Sequence, residues 1–232
     1  MQCLRAIFPF ALTKSVKSEP PSAKQHSSPP PPTSMETLKI QGTVLTPESG
    51  DAYTAALKRN SDLSSLPAKY VVQPAIFEDI PPVLAYALAQ TPPVEIAVKG
   101  GGAHSATWAS SDGGIVIDLS KLNKVVLAED KQSVSVQGGA YWGDVYEVTS
   151  KAQVDVVGSP LWFVGVGGFT LGGGFGPLTS EYGCAIDNLV SATVVLADGR
   201  IVKASKDEEP DLFWAIRGMS GRFRVKLTHD WY

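Results

Sequence analysis

The 232-residue sequence is poor in the residues that build metal and disulfide centres. Its two cysteines, Cys3 and Cys184, exclude a disulfide scaffold and a cysteine-based zinc site. Three histidines, at 26, 104 and 229, leave little for a metal centre. No apolar run approaches the about 18 residues needed to span a bilayer, so no membrane partner is expected. The formal net charge is −3 and no basic stripe is present, which gives no electrostatic footprint for nucleic acid. The dinucleotide fingerprint G-x-G-x-x-G is also missing. Its last glycine would fall on Ser105 counted from Gly100, on Thr170 from Gly165 and on Pro177 from Gly172. No G-x-x-x-x-G-K-[ST] phosphate loop occurs, so a nicotinamide-binding Rossmann domain and a P-loop NTPase are both disfavoured.

What is present is an ordinary globular composition, 44% hydrophobic and 19% charged, spread unevenly. Seven of the 17 prolines fall in residues 1–34, where Ser27-Ser-Pro-Pro-Pro-Pro-Thr-Ser34 is a polyproline-type stretch unable to build a core. The apolar run Ala6–Leu12 is short for a secretory segment and Pro9 interrupts it. Residues 1–34 are therefore expected to be a disordered extension rather than a targeting peptide, with the cytoplasm as the expected compartment.

From Ile40 the chain reads as folded. Amphipathic spacing predicts helices over 52–59, over 80–90 with Pro81 and Pro82 in the first turn, over 142–149 and over 210–217. Short β-runs are expected at 70–74, 94–98, 115–119, 124–127 and 133–137, with a further β-like run at 154–157. Leu189–Leu196 and Ile201–Ala204 flank Asp198-Gly199, which predicts a hairpin with a type I′ turn. Helices mixed with hairpins and crossovers indicate an α+β fold with mixed sheets rather than a doubly wound parallel sheet.

Two glycine clusters dominate the remainder. The first is Lys99-Gly100-Gly101-Gly102-Ala103-His104-Ser105; the second, Gly165 to Gly176, holds seven glycines in twelve residues. Glycine lets backbone N–H groups approach a ligand closely and adopt positive φ. Successive amides in the first cluster suit a pyrophosphate, and Lys99 is either an added cation or a solvated strand end. The apolar residues within the second, such as Phe169, Leu171 and Phe175, are expected to lie against a planar ring rather than to form a linker. Cys184, beyond it, is read as a buried small hydrophobe.

The ordered series Glu95–Ser105, Ser110–Ser120, Val136–Ala140, Gly165–Gly176, Tyr182-Gly183, Asp187-Asn188, Ala197–Gly199 and Asp211–Gly218 resembles the PCMH-type FAD-binding domain of vanillyl-alcohol-oxidase and fungal berberine-bridge-enzyme-like oxidases. The resemblance covers roughly residues 40 to 218 and implies an FAD-binding domain over 35–218. It implies FAD contacts from Lys99, Gly100, Gly101, Gly102, Ala103, His104 and Ser105. From the second cluster it implies Gly165, Gly167, Gly168, Thr170, Leu171, Gly172, Gly173, Gly174 and Gly176, with Gly173 and Gly174 beside the ring. His104 inherits the position that commonly bonds the flavin. The chain departs from the usual spacing in the extra Ala103 and in Trp108, which replaces a small residue. Some members add a cysteinyl bond where this chain has Leu161, so that second bond is not expected.

The family continues into a substrate-binding domain. Here residues 219–232 read as a divergent tail, with His229, Asp230 and Tyr232 at what is expected to be a frayed end. The activity implied is hydride transfer from a small organic substrate to flavin with re-oxidation by oxygen. The alternative is a truncated, catalytically inactive flavin-binding remnant.

Overall fold

The computed structural model describes residues 34–217 and the backbone of 226–231. The expected extension over 1–34 lies outside the described residues apart from Ser34, as do Gly218 at the end of the expected FAD-binding domain and residues 219–225 and Tyr232 of the expected tail. Along the chain run β1 (Thr43–Leu45), α1 (Asp51–Leu57), β2 (Tyr70–Gln73), α2 (Ile80–Ala89), β3 (Ile96–Lys99), β4 (Ile115–Asp118), β5 (Val125–Leu127) and β6 (Val134–Gln137). They are followed by α3 (Trp142–Lys151), α4 (Val166–Leu171), α5 (Thr179–Tyr182), β7 (Leu189–Val195), β8 (Ile201–Ser205), α6 (Pro210–Ile216) and β9 (Lys226–Trp231).

These strands form two sheets. The first has the order β1-β2-β4-β3, with β4 parallel to both neighbours and β1 antiparallel to β2. Every side chain of β4 is buried, as a central strand covered on both faces requires. Ile115 and Ile117 pack with Val72 against Ile80, Val83 and Leu84 of α2. On the other face Val116, Val71 and Ala97 pack against Tyr53 and Ala56 of α1. The second sheet, β5-β6-β9-β7-β8, is antiparallel throughout. Its core joins Val134, Val136, Leu189 and Ala192 to Trp142 and Val145 of α3, Val166 of α4, and Phe213 and Ile216 of α6. Val195 of β7 belongs to the core of the first sheet. The expected α+β class with mixed sheets is what is observed.

Four local expectations are corrected. The hairpin turn is not type I′, because that turn needs positive φ at both central residues. Here Gly199 N bonds Leu196 O at 2.9 Å, Leu196 N bonds Arg200 O at 2.8 Å, and Gly199 alone of the turn takes positive φ, +85°. This is a three-residue loop with Gly199 at the bulge position. The run 154–157 is not a strand; Val156 and Val157 serve the core from irregular chain. Half of the second glycine cluster is the helix α4 rather than loop. Finally, the expected frayed end contains β9, which sits inside the second sheet and pairs with β6 on one side and β7 on the other.

Candidate functional site

The two glycine clusters meet. A Cβ on Gly101 would stand 2.5 Å from the backbone N and Cα of Gly165, and one on Gly165 would overlap Gly101 N. The turn after β6 lies between them: Cβ atoms on Gly100 and Gly167 would both press on Gly138 O, at 3.2 and 3.1 Å. Backbone packs on backbone here, which only residues without a Cβ permit. Further along, a Cβ on Gly176 would overlap Gly158 O, and one on Gly174 (φ +76°) would stand 2.6 Å from Ala185 Cβ. Gly174 is therefore filled by fold packing. Gly173 (φ +101°) and Gly168 have nothing within 4 Å, so they keep open space on this side of the loop.

Beside the Gly101–Gly165 contact is a cleft of about 420 Å³. Its walls are the end of α1 with Lys58, Arg59 and Asn60, the first cluster from Lys99 through Gly101, Gly102 and Ala103, and the aromatic residues Tyr141, Trp162 and Phe163. Asn60 N donates to Gly102 O at 2.9 Å and ties the first wall to the second. None of the backbone amides of Gly101, Gly102, Ala103, His104 and Ser105 has an acceptor among the described residues. Gly102 takes φ +66°, which a residue with a side chain rarely adopts.

Lys99 is not a solvated strand end. It is 8% exposed; its Nζ donates to Ala56 O at 2.9 Å and stands 3.5 Å from Asp118 Oδ1. Burial pulls its ammonium below the ordinary lysine value, Asp118 opposes that fall, and the nearby Arg59 adds to it. Asp118, also buried, accepts from Gln73 Nε2 at 2.9 Å and from Ser120 Oγ at 3.1 Å. Arg59 is held by backbone carbonyls, and burial lowers its pKa against the pull of Asp118. The cleft thus offers cations and unpaired amides, the donor set that a pyrophosphate requires.

His104 is exposed beside the cleft. Its Nδ1 accepts the Ala106 N–H at 2.9 Å and its ring stacks on Trp108, centroids 4.7 Å apart. Ser105 is exposed as well. No residue of the second cluster lines the cleft wall; the cluster's role there is to back Gly101. Its apolar residues divide: Val166 is fully buried in the core and Phe169 packs edge-on against Trp142, whereas Phe175 is exposed. Thr170 Oγ1 is buried with no partner among the described residues. Cys184 is half-buried against the core of the second sheet, as a small hydrophobe would be.

Arg59, Tyr141, Trp162, Phe163 and Asp118 are parts of this site that the sequence reading missed. A signal existed for Asp118, a carboxylate closing the apolar run Ile115-Val-Ile, since such a charge needs a buried partner. Trp162-Phe163 immediately before the second cluster was a second signal; the pair packs edge to face and Trp162 is 71% exposed.

Two glycine clusters locked together beside a cationic cleft, in a fold of one mixed and one antiparallel sheet, define a dinucleotide-holding domain. The chain belongs to the FAD binding domain family, whose model matches residues 68–205, more than half of the chain. FAD is accordingly its cofactor. Among curated proteins it is 39% identical over 188 residues to an FAD-linked oxidoreductase of Aspergillus terreus, covering 80% of this chain and 38% of that protein. Among solved structures it resembles 6-hydroxy-D-nicotine oxidase from Arthrobacter nicotinovorans, with TM-score 0.79 and 31% identity over 84% of this chain and 42% of that one. It also resembles glucooligosaccharide oxidase from Acremonium strictum, which carries a 6-S-cysteinyl, 8α-N1-histidyl FAD, with TM-score 0.74 and 29% identity over 82% and 40% of the two chains. The chain spans less than half the length of these relatives.

Proposed function

We propose that this chain is the FAD-holding part of an oxidoreductase that removes a hydride from a small organic substrate and passes the electrons to oxygen. The carrying observation is the row of amides at 101–105 with no acceptor among the described residues, the first three of which belong to residues lining a cleft whose buried side chains are cations. FAD, when bound, supplies the two-electron chemistry. The chain's own residues bind and orient it. The amides of the first cluster, with Lys99 and Arg59 behind them, would hold the pyrophosphate. Tyr141, Trp162 and Phe163 offer apolar surface for the planar parts of the molecule. The open side of the second cluster, at Gly168 and Gly173, is where backbone can approach the ring.

His104 is the residue proposed to carry any bond to the flavin. With Nδ1 engaged by Ala106, Nε2 is the nitrogen left to react. Leu161 offers no thiol, so a cysteinyl bond of the kind in the glucooligosaccharide oxidase is not proposed.

Anaerobic mixing of the FAD-loaded chain with oligosaccharides, primary alcohols and hydroxylated cyclic amines tests the reading. At least one member of the panel is expected to bleach the flavin absorbance, and air to restore it with release of hydrogen peroxide. Absorbance that no member bleaches, although dithionite does, counts against an oxidoreductase.

A further inference from the structure

Arg59 carries a buried charge with no direct ion pair among the described residues, although Asp118 pulls on it from nearby. It is 5% exposed. Its Nη1 donates to the carbonyls of Leu57, Lys58 and Ala56 at 2.6, 3.2 and 3.3 Å, and its Nη2 donates to Ala109 O. All four acceptors are neutral, and Nε is buried with no partner among the described residues. No carboxylate among the described residues forms an ion pair with it either. The neighbouring carboxylate, Asp118, stands against Lys99, whose ammonium shares Ala56 O with Arg59. Two buried cations therefore converge on one carbonyl with one carboxylate between them, and that carboxylate serves the lysine. Unpaired buried charge is costly, because the interior screens poorly and no hydration shell remains.

The surplus charge borders the cleft. Arg59 and Lys99 both line it, and Gly102 lies against both stems: its missing Cβ would stand 3.3 Å from Arg59 Cδ and 3.3 Å from Lys99 Cε. A side chain at 102 would press on both stems, in the same cluster whose amides are left without an acceptor among the described residues.

We propose that Arg59 is the counter-ion of the FAD pyrophosphate, and that it, rather than the already paired Lys99, sets the affinity for the dinucleotide. This rests on the FAD reading above. It predicts a division between ligands with and without phosphate, which a role confined to stapling the end of α1 would not produce.

The test is titration of the whole chain with FAD, ADP and riboflavin, followed by flavin fluorescence or by competition, at several sodium chloride concentrations. Arg59→Met is expected to weaken FAD and ADP by about 10- to 100-fold, the scale on which a unit charge several ångströms from the phosphates acts at an effective dielectric of about 20. Riboflavin, which has no phosphate, should lose nothing. Arg59→Lys, keeping the charge, should retain most of the affinity, and wild-type affinity for FAD should fall as salt rises. Equal loss for riboflavin and ADP, or an Arg59→Lys variant as weak as Arg59→Met, would overturn the proposal. Should Arg59→Met fail to fold, wild-type FAD affinity that is indifferent to salt overturns it without any variant. A wild-type chain that binds no FAD at all would instead overturn the underlying reading.

Discussion

Gly165→Val should abolish FAD binding and lower the melting temperature sharply. The backbone at Gly165 is regular, φ −70°, so the effect is one of space rather than of conformation. A Cβ there meets Gly101 N and stands 2.7 Å from Gly101 Cα, and neither atom can rotate away as a flexible side chain would. The two clusters would have to part. That breaks the wall holding the free amides, and it strains the bonds from Val166 N to Ala140 O (2.9 Å) and from Trp142 N to Val164 O (3.0 Å) that seat α4 and α3. Gly168→Ala is the matched control. Nothing lies within 4 Å of its Cβ and its φ is not positive, so the melting temperature should hold or rise slightly. Calorimetry of both variants reads the contrast in stability, and FAD titration of Gly165→Val reads the loss of binding. Gly165→Val binding FAD like the wild type would show that the clusters are not in contact.

The second large effect is expected at Trp142. This side chain is fully buried in the core of the second sheet, 5.8 Å from the ring of Tyr146 and edge-on to Phe169 at 5.4 Å. Trp142→Ala should cost about 3–5 kcal/mol through lost burial and the cavity left behind. Against a total stability of about 5–15 kcal/mol that is a large share. Phe169 belongs to α4, so the cavity also loosens the helix that presents Gly165 to Gly101, and FAD affinity should fall with stability. Urea unfolding followed by fluorescence gives the midpoint. A shift of less than about 1 kcal/mol would mean that the site collapses around the gap, contrary to its close packing.

Much of this architecture was readable from local pattern. Pro81 and Pro82 could only open a helix, and they stand in the first turn of α2. The alternation in Leu189–Val195 produced a strand whose inward residues are buried. The glycine clusters were legible as places of close approach. What each glycine approaches was not, because Gly101 meets Gly165 and Gly167 meets Gly138 only once distant segments have folded together. Helix α4 was hidden for a related reason. Two of its six residues are glycines, each costing about 1 kcal/mol in a helix, and tertiary packing overrides that penalty. Strand β9 reads as a polar terminal stretch, and its place in the sheet comes from pairing with β6 and β7 rather than from its own composition. Arg59 was illegible in the same way. A charge after an amphipathic helix usually faces water, and this one is buried by Ala109, fifty positions away in sequence.

The cleft between Arg59, Lys99 and the first glycine cluster is the place proposed to hold FAD. The direct measurement is the visible spectrum of the chain after incubation with FAD and gel filtration, with flavin and protein quantified in the same fraction. The account predicts flavin bands travelling with the protein at about one FAD per chain, and their loss in Gly165→Val. Protein emerging folded and colourless from saturating FAD would contradict it.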